Sequence, residues 1–91
     1  PQDIAQRITT PTKAVMVVPL FGLCADMDAI RAVVPAHIPI LEDCACAAGA
    51  TYKGKYAGTL GLAGAFSFHP RKSITTGEGG MVVTNDEDLA I

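Results

Sequence analysis

Charge is scarce in this chain, and no block of one sign interrupts it. Charged residues make up 18% of the 91 positions, and 7 Lys and Arg against 9 Asp and Glu leave a net charge of −2. The basic residues are scattered and no basic stripe appears, which argues against a nucleic-acid surface. Apolar runs are short: none reaches the roughly 20 residues a membrane-spanning helix needs, and nothing resembles a secretory leader. Cysteine is also sparse. The three thiols, at positions 24, 44 and 46, are an odd number, and they read as small buried groups in a reducing cytoplasm, not as disulfides. Cys44 and Cys46 make a poor zinc site: their spacing is unusual, and only His37 and His69 could complete it. Neither an internal repeat nor a low-complexity segment is present.

What remains is a globular composition, 49% apolar. Its length allows one small domain, which buries only about 60–65% of its unfolded surface. Several strand-like segments are apolar on both sides and need helices on both faces. The chain does not supply enough of them. Residues 1–91 are therefore expected to be a fragment of a larger domain.

Residues 1–8 resemble a helix tail stopped by the segment before Lys13. "AVMVV" at 14–18 has the pattern of a strand buried on both faces, and Pro19 and Gly22 mark a loop. "DMDAIRAVV" at 26–34 places Met27, Ile30, Val33 and Val34 at helical spacing, with acidic residues in its first turn. "IPILED" at 38–43 predicts a second strand, parallel to the first across the helical crossover. "ACAAGA" at 45–50 predicts a short helical turn, and residues 51–58 an exposed excursion turning at Gly54. Strands are expected at 64–68 and 79–84, and a helix capped by Asn85 opens across 85–91.

This order predicts an α/β fold with a mostly parallel sheet, whose ligands sit at the carboxyl ends of the strands. The loop after Val18, the acids Glu42 and Asp43, and the run from Ser67 to Lys72 fall at those ends. A carboxylate, a hydroxyl and an amine thus converge on one edge. Each has an ordinary alternative: Asp43 as a turn carboxylate, Lys72 as a solvated lysine, Ser67 as a hydroxyl facing a neighbouring strand. His69, before Pro70, reads as structural. "GEGG" at 77–80 lacks the Lys-Ser/Thr of a phosphate loop and leads into a strand, so its glycines serve tight backbone geometry. Cys44 and Cys46 read as packing residues among alanines.

Taken together, "ILEDCACAAGATYKGKYAGTLGLAGAFSFHPRKSITTGEGGMVVTNDEDLA" closely resembles the DegT/StrS family of sugar aminotransferases that use pyridoxal 5'-phosphate. The most specific part is the strand-end Asp followed by Ser-Phe-x-Pro-x-Lys and Gly-Glu-Gly-Gly. The resemblance implies a fragment of the large domain of an aspartate-aminotransferase-like fold, with a mostly parallel seven-stranded sheet and helices on both faces. It implies that Lys72 is the catalytic lysine that bonds the cofactor's aldehyde, that Asp43 pairs with the pyridine nitrogen, and that Ser67 contacts the phosphate. Cys46 stands where many members carry a glutamine near the cofactor's phenolic oxygen, and Ala48 where a histidine often follows. A thiol is a weaker hydrogen-bond donor than an amide, so Cys46 is a cofactor-binding position with altered tuning.

The implied activity is transfer of an amino group, with glutamate as donor, to a nucleotide-linked keto-sugar, by a homodimer. A second branch of the family has histidine at the lysine position and removes a sugar hydroxyl; Lys72 argues against that branch. Two other readings are a catalytically inactive ligand-binding or regulatory domain of the same fold, and a redox or metal role for Cys44 and Cys46.

Overall fold

A computed structural model describes residues 1–90. Helix α1 (Gln2–Arg7) leads to strand β1 (Val15–Val17), helix α2 (Met27–Val33) and strand β2 (Ile40–Asp43). A small hairpin of β3 (Thr51–Tyr52) and β4 (Lys55–Tyr56) follows, then β5 (Ala63–Ser67) and β6 (Gly80–Thr84). The main sheet has the order β1-β2-β5-β6. Its first three strands are parallel and β6 returns antiparallel to β5. The mostly parallel α/β architecture read from the sequence is thus the one observed.

Strand register decides which side chains share a face. Val17 pairs with Glu42, Glu42 with Gly64, and Gly64 with Val83. Because paired residues point the same way and neighbours alternate, these four lie on one face and Met16, Leu41, Asp43, Ala65, Ser67 and Val82 on the other. The first face is covered. Val17 packs there with Met27, Ile30 and Val34 from α2 and its C-terminal end, with Ile38, and with Leu60, while Ile4 and Ile8 from the α1 segment close the margin. The second face is open among the described residues: Met16 is 62% and Val82 72% exposed. Two-sided burial was expected of the 14–18 strand. Residues 1–90 supply the helical layer on one side only.

Local chemistry explains the elements. Asp26 caps α2, its carboxylate accepting the Ala29 N–H at 3.1 Å, and Asp28 follows in the first turn. Ile30 and Met27 carry the apolar stripe into the core. The hairpin turns through Lys53 and Gly54, both with φ near +50 to +80° (49° and 80°), the left-handed pair a two-residue β-turn requires. It docks on α2 through Tyr52, whose hydroxyl donates to Asp26 at 2.7 Å, and Lys53, 2.5 Å from Asp28.

Two expectations are corrected here. Residues 45–50 form no helical turn of their own but two successive reverse turns, closed by Ala47 N–H to Cys44 C=O and Ala50 N–H to Ala47 C=O. Small side chains pack these turns against the sheet, with Cys44, Ala47, Ala50 and Ala57 forming a second buried cluster. Near the C-terminal end, Asp86 and not Asn85 acts as the cap, accepting the N–H groups of Asp88 and Leu89 at 2.9 and 3.1 Å. The segment 87–89 is a turn. The end of the predicted helix, Ile91, lies outside the described residues.

Candidate functional site

The carboxyl ends of β2 and β5 lie side by side, so the segments that follow them must meet. After β2 the chain runs into the turns at Ala45, Cys46 and Ala48. After β5 it enters the long connection 68–79 to β6, which its own hydrogen bonds organise. The Phe68 C=O accepts the Thr75 hydroxyl at 2.9 Å and the Thr76 N–H at 3.2 Å. The Lys72 N–H donates to the His69 C=O at 2.9 Å, and the Phe68 N–H to the Gly79 C=O at 2.8 Å. Gly77 adopts φ +85°, and a Cβ on Gly80 would sit 2.9 Å from the Phe66 carbonyl oxygen. The glycines of "GEGG" therefore serve backbone geometry, as read from the sequence. His69 accepts the Arg71 N–H on its Nδ1 at 3.2 Å and also lines the cleft that opens beside this segment.

Between these segments opens a cleft of about 690 Å³, lined by Cys46, Ser67 and Lys72, with Phe21 and Gly22 of the loop after β1 at its side. The Lys72 amine reaches across it and donates to the Cys46 sulfur at 3.1 Å. The Ser67 hydroxyl oxygen accepts the His69 N–H, a long bond of 3.4 Å, and keeps its own proton to donate. Three of the four site residues expected from the sequence thus line one cavity.

Asp43 does not line it. It stands on the open sheet face, in register with Ala65 and two positions from the residue level of Ser67, and one carboxylate oxygen accepts the Ala45 N–H at 3.1 Å. The turn-carboxylate reading therefore holds for Oδ1; Oδ2 makes no hydrogen bond among the described residues. Glu42, expected at the same edge, belongs elsewhere. Its side chain is buried on the helix-covered face, where Oε1 accepts the Gly58 N–H at 2.9 Å. Oε2 accepts those of Leu60 and Gly61 at 2.7 and 2.8 Å. Period-2 alternation along a strand sends adjacent carboxylates to opposite faces, and that signal was available in the sequence.

The thiols differ as sharply. Cys44 is buried and its pKa is pushed up to about 12, first by burial and then by the nearby Glu42 carboxylate. Cys24 is raised by the same two causes. Cys46 is exposed in the cleft. The expectation of buried thiols holds for Cys44 and fails for Cys46, because the turn at 45–46 lifts that side chain off the sheet. Sequence reasoning missed Phe21, whose ring is 91% exposed beside the cleft on a backbone with φ +53°.

An amine, a hydroxyl and a thiol around an open cavity at strand ends are groups that can bind a small anionic or carbonyl compound. All 91 residues match the model of the DegT/DnrJ/EryC1/StrS aminotransferase family. The chain belongs to this family. Its relatives include the GDP-perosamine synthase of Escherichia coli O157:H7, 53% identical over 88 residues, which are 96% of this chain and 24% of that protein. In three dimensions it matches the aminotransferase from Psychrobacter cryohalolentis at TM-score 0.90 and 50% identity, covering 97% of this chain and 23% of that one. It also matches an E. coli GDP-4-keto-6-deoxy-D-mannose-3-dehydratase with bound hydrated PLP, at TM-score 0.88 and 38% identity, with the same coverage of 97% and 23%. This DegT/DnrJ/EryC1/StrS chain spans about a quarter of the length of the relatives it matches.

Proposed function

We propose that the protein containing this chain transfers an amino group, with L-glutamate as donor, to a nucleotide-linked keto-sugar, and that pyridoxal 5'-phosphate occupies the cleft at Lys72. The observation that carries this reading is the Lys72 amine lining a cavity of about 690 Å³ at the carboxyl ends of parallel strands, together with Ser67. Residues 1–91 are read as part of the larger PLP-binding domain.

The residues present fit the cofactor. The cavity has the size of a site for a small ring with a phosphate arm. Ser67 has an O–H free to donate to a phosphate oxygen. Asp43 lies outside the lining of the cavity, on the sheet face that carries Ser67, and its unpartnered oxygen would meet the protonated ring nitrogen of a ring that extends over that face. When bound, the cofactor supplies an electron sink for the carbanion generated at the substrate carbon. Lys72 would then have two duties: its Nζ would hold the cofactor, and as a free amine the same nitrogen would move the proton at the substrate carbon. Asp43 would favour the protonated form of the ring nitrogen. Cys46 contributes a weak hydrogen-bonding group where an amide would bind more strongly.

The relative named for GDP-perosamine supports a nucleotide-linked amino sugar as the class of product. The dehydratase match shows that the fold accommodates another outcome; the amine of Lys72 favours transamination here. The family resemblance further supports a cytoplasmic homodimer. Among the described residues no helix is long and apolar enough to cross a membrane.

The test is borohydride reduction of the full-length protein loaded with pyridoxal 5'-phosphate, followed by peptide mapping. The phosphopyridoxyl label is expected on Lys72. A label on any other lysine, or none, overturns the reading.

A further inference from the structure

The cleft holds one contact that amine transfer does not use. The Lys72 amine lies 3.1 Å from the Cys46 sulfur, and neither group makes another side-chain hydrogen bond among the described residues. Cys46 is exposed, so a small oxidant in solvent reaches it. The thiol two residues away is no partner: Cys44 is buried beneath the opposite face, its S–H directed at Glu42 at 4.0 Å. Among the described residues the side-chain group hydrogen-bonded to the Cys46 sulfur is the Lys72 amine, so an oxidised Cys46 meets a nitrogen nucleophile first.

We propose that Cys46 and Lys72 are a modification site, in which hydrogen peroxide drives a covalent sulfur–nitrogen link between them. The Cys46 sulfur first takes one oxygen from peroxide, becoming a sulfenic acid and releasing one water. The Lys72 amine then attacks that sulfur; the S–O bond breaks, an S–N bond forms, and hydroxide leaves with a proton from nitrogen as a second water. In sum, one thiol, one amine and one peroxide give one S–N link and two waters. Sulfur is oxidised by two electrons and peroxide is reduced by two. A thiol reductant reverses the link by attacking sulfur and returning the free amine.

Lys72 carries only one reactive nitrogen, so the link and cofactor attachment exclude each other. That consequence rests on the proposed function; the link itself does not. It makes cofactor loading sensitive to peroxide in the empty site and protected in the filled one.

The experiment exposes the full-length protein, stripped of pyridoxal 5'-phosphate, to hydrogen peroxide, then digests it and reads the peptides by mass spectrometry. The expected product joins the Cys46 and Lys72 peptides, is lighter than their sum by two hydrogen atoms, and disappears on treatment with dithiothreitol. A linked pair that retains a bridging oxygen contains no sulfur–nitrogen bond and overturns the proposed link. The signal falls to background in Cys46→Ser and in Lys72→Arg. Recovery of Cys46 unmodified, as sulfinic or sulfonic acid, or in a disulfide, with Lys72 unlinked, overturns the proposal. Its failure is distinct from failure of the functional reading. Borohydride trapping that misses Lys72 removes the cofactor role and leaves the link, whereas absence of the link leaves the trapping result untouched.

Discussion

Glu42 and Asp43 are adjacent in the chain, yet their carboxylates serve opposite faces of β2. Glu42 is buried and accepts three backbone N–H groups from residues 58–61, holding that segment under the sheet. Asp43 accepts one N–H and leaves an oxygen on the face that carries Ser67.

Substitution should separate these roles. Glu42→Ala strands three donors at once, two buried and one part-buried, and a loss of about 3 kcal/mol is expected from charge-assisted bonds of this kind. Denaturant unfolding of the full-length protein measures it. Asp43→Asn should leave the midpoint nearly unchanged while pyridoxal 5'-phosphate affinity drops at least tenfold, read by fluorescence titration. Equal effects of the two changes on stability would contradict this division.

Lys72→Ala is expected to abolish turnover, since attachment and proton transfer both lose their agent. Single-turnover absorbance with glutamate checks it. Transamination near the normal rate would rule out the role assigned to this amine.

Gly64 faces Gly58 so closely that a Cβ on either would overlap its neighbours: the Cα of Gly58 in one case, the Phe66 ring in the other. The obstacle for Gly64→Ala is backbone, which cannot swing aside. A destabilisation of about 1–3 kcal/mol is expected, typical of overpacking, and thermal unfolding reads it.

The thiols predict an alkylation pattern. At pH 8 iodoacetamide should modify Cys46 in the cofactor-free full-length protein and spare Cys44, which is buried with a pKa of about 12. The same shift has a stability consequence with a definite sign. Cys44 keeps its proton longer when folded than the ordinary value of 9.0 allows when unfolded, so stability falls as pH rises from about 9 toward 12. A Cys44→Ser variant whose alkaline unfolding matched the parent would remove Cys44 as the cause.

At the acid end, the Ala29 N–H first and the Tyr52 hydroxyl second hold Asp26 below the usual carboxylate range. Asp28 is lowered chiefly by its hydrogen bond from Lys53. Both favour the folded state above the ordinary value of 3.8 and lose that contribution as pH falls through the lowered folded values. The β3–β4 hairpin should therefore loosen from α2 on acidification. Tyr52→Phe should move the Asp26 titration up toward its ordinary value, seen in carboxyl NMR.

The sequence alone determined the order of elements, the parallel sheet and the strand-end position of Ser67 and Lys72, because these follow from local periodicity, turn residues and the direction of the chain. The family was legible in the spacing of Asp43, Ser67 and Lys72 with "GEGG". Tertiary structure decided the rest. Only strand register could place Glu42 under the helices and Asp43 on the open face. Only the turns at 44–50, which are too short to declare themselves by periodicity, could bury Cys44 while presenting Cys46 to Lys72. The cap near the C-terminal end moved from Asn85 to Asp86 because hydrogen-bond geometry, not residue preference, chooses between neighbouring acceptors. Contacts between residues 26 positions apart depend on how segments stack, and no local pattern encodes that distance.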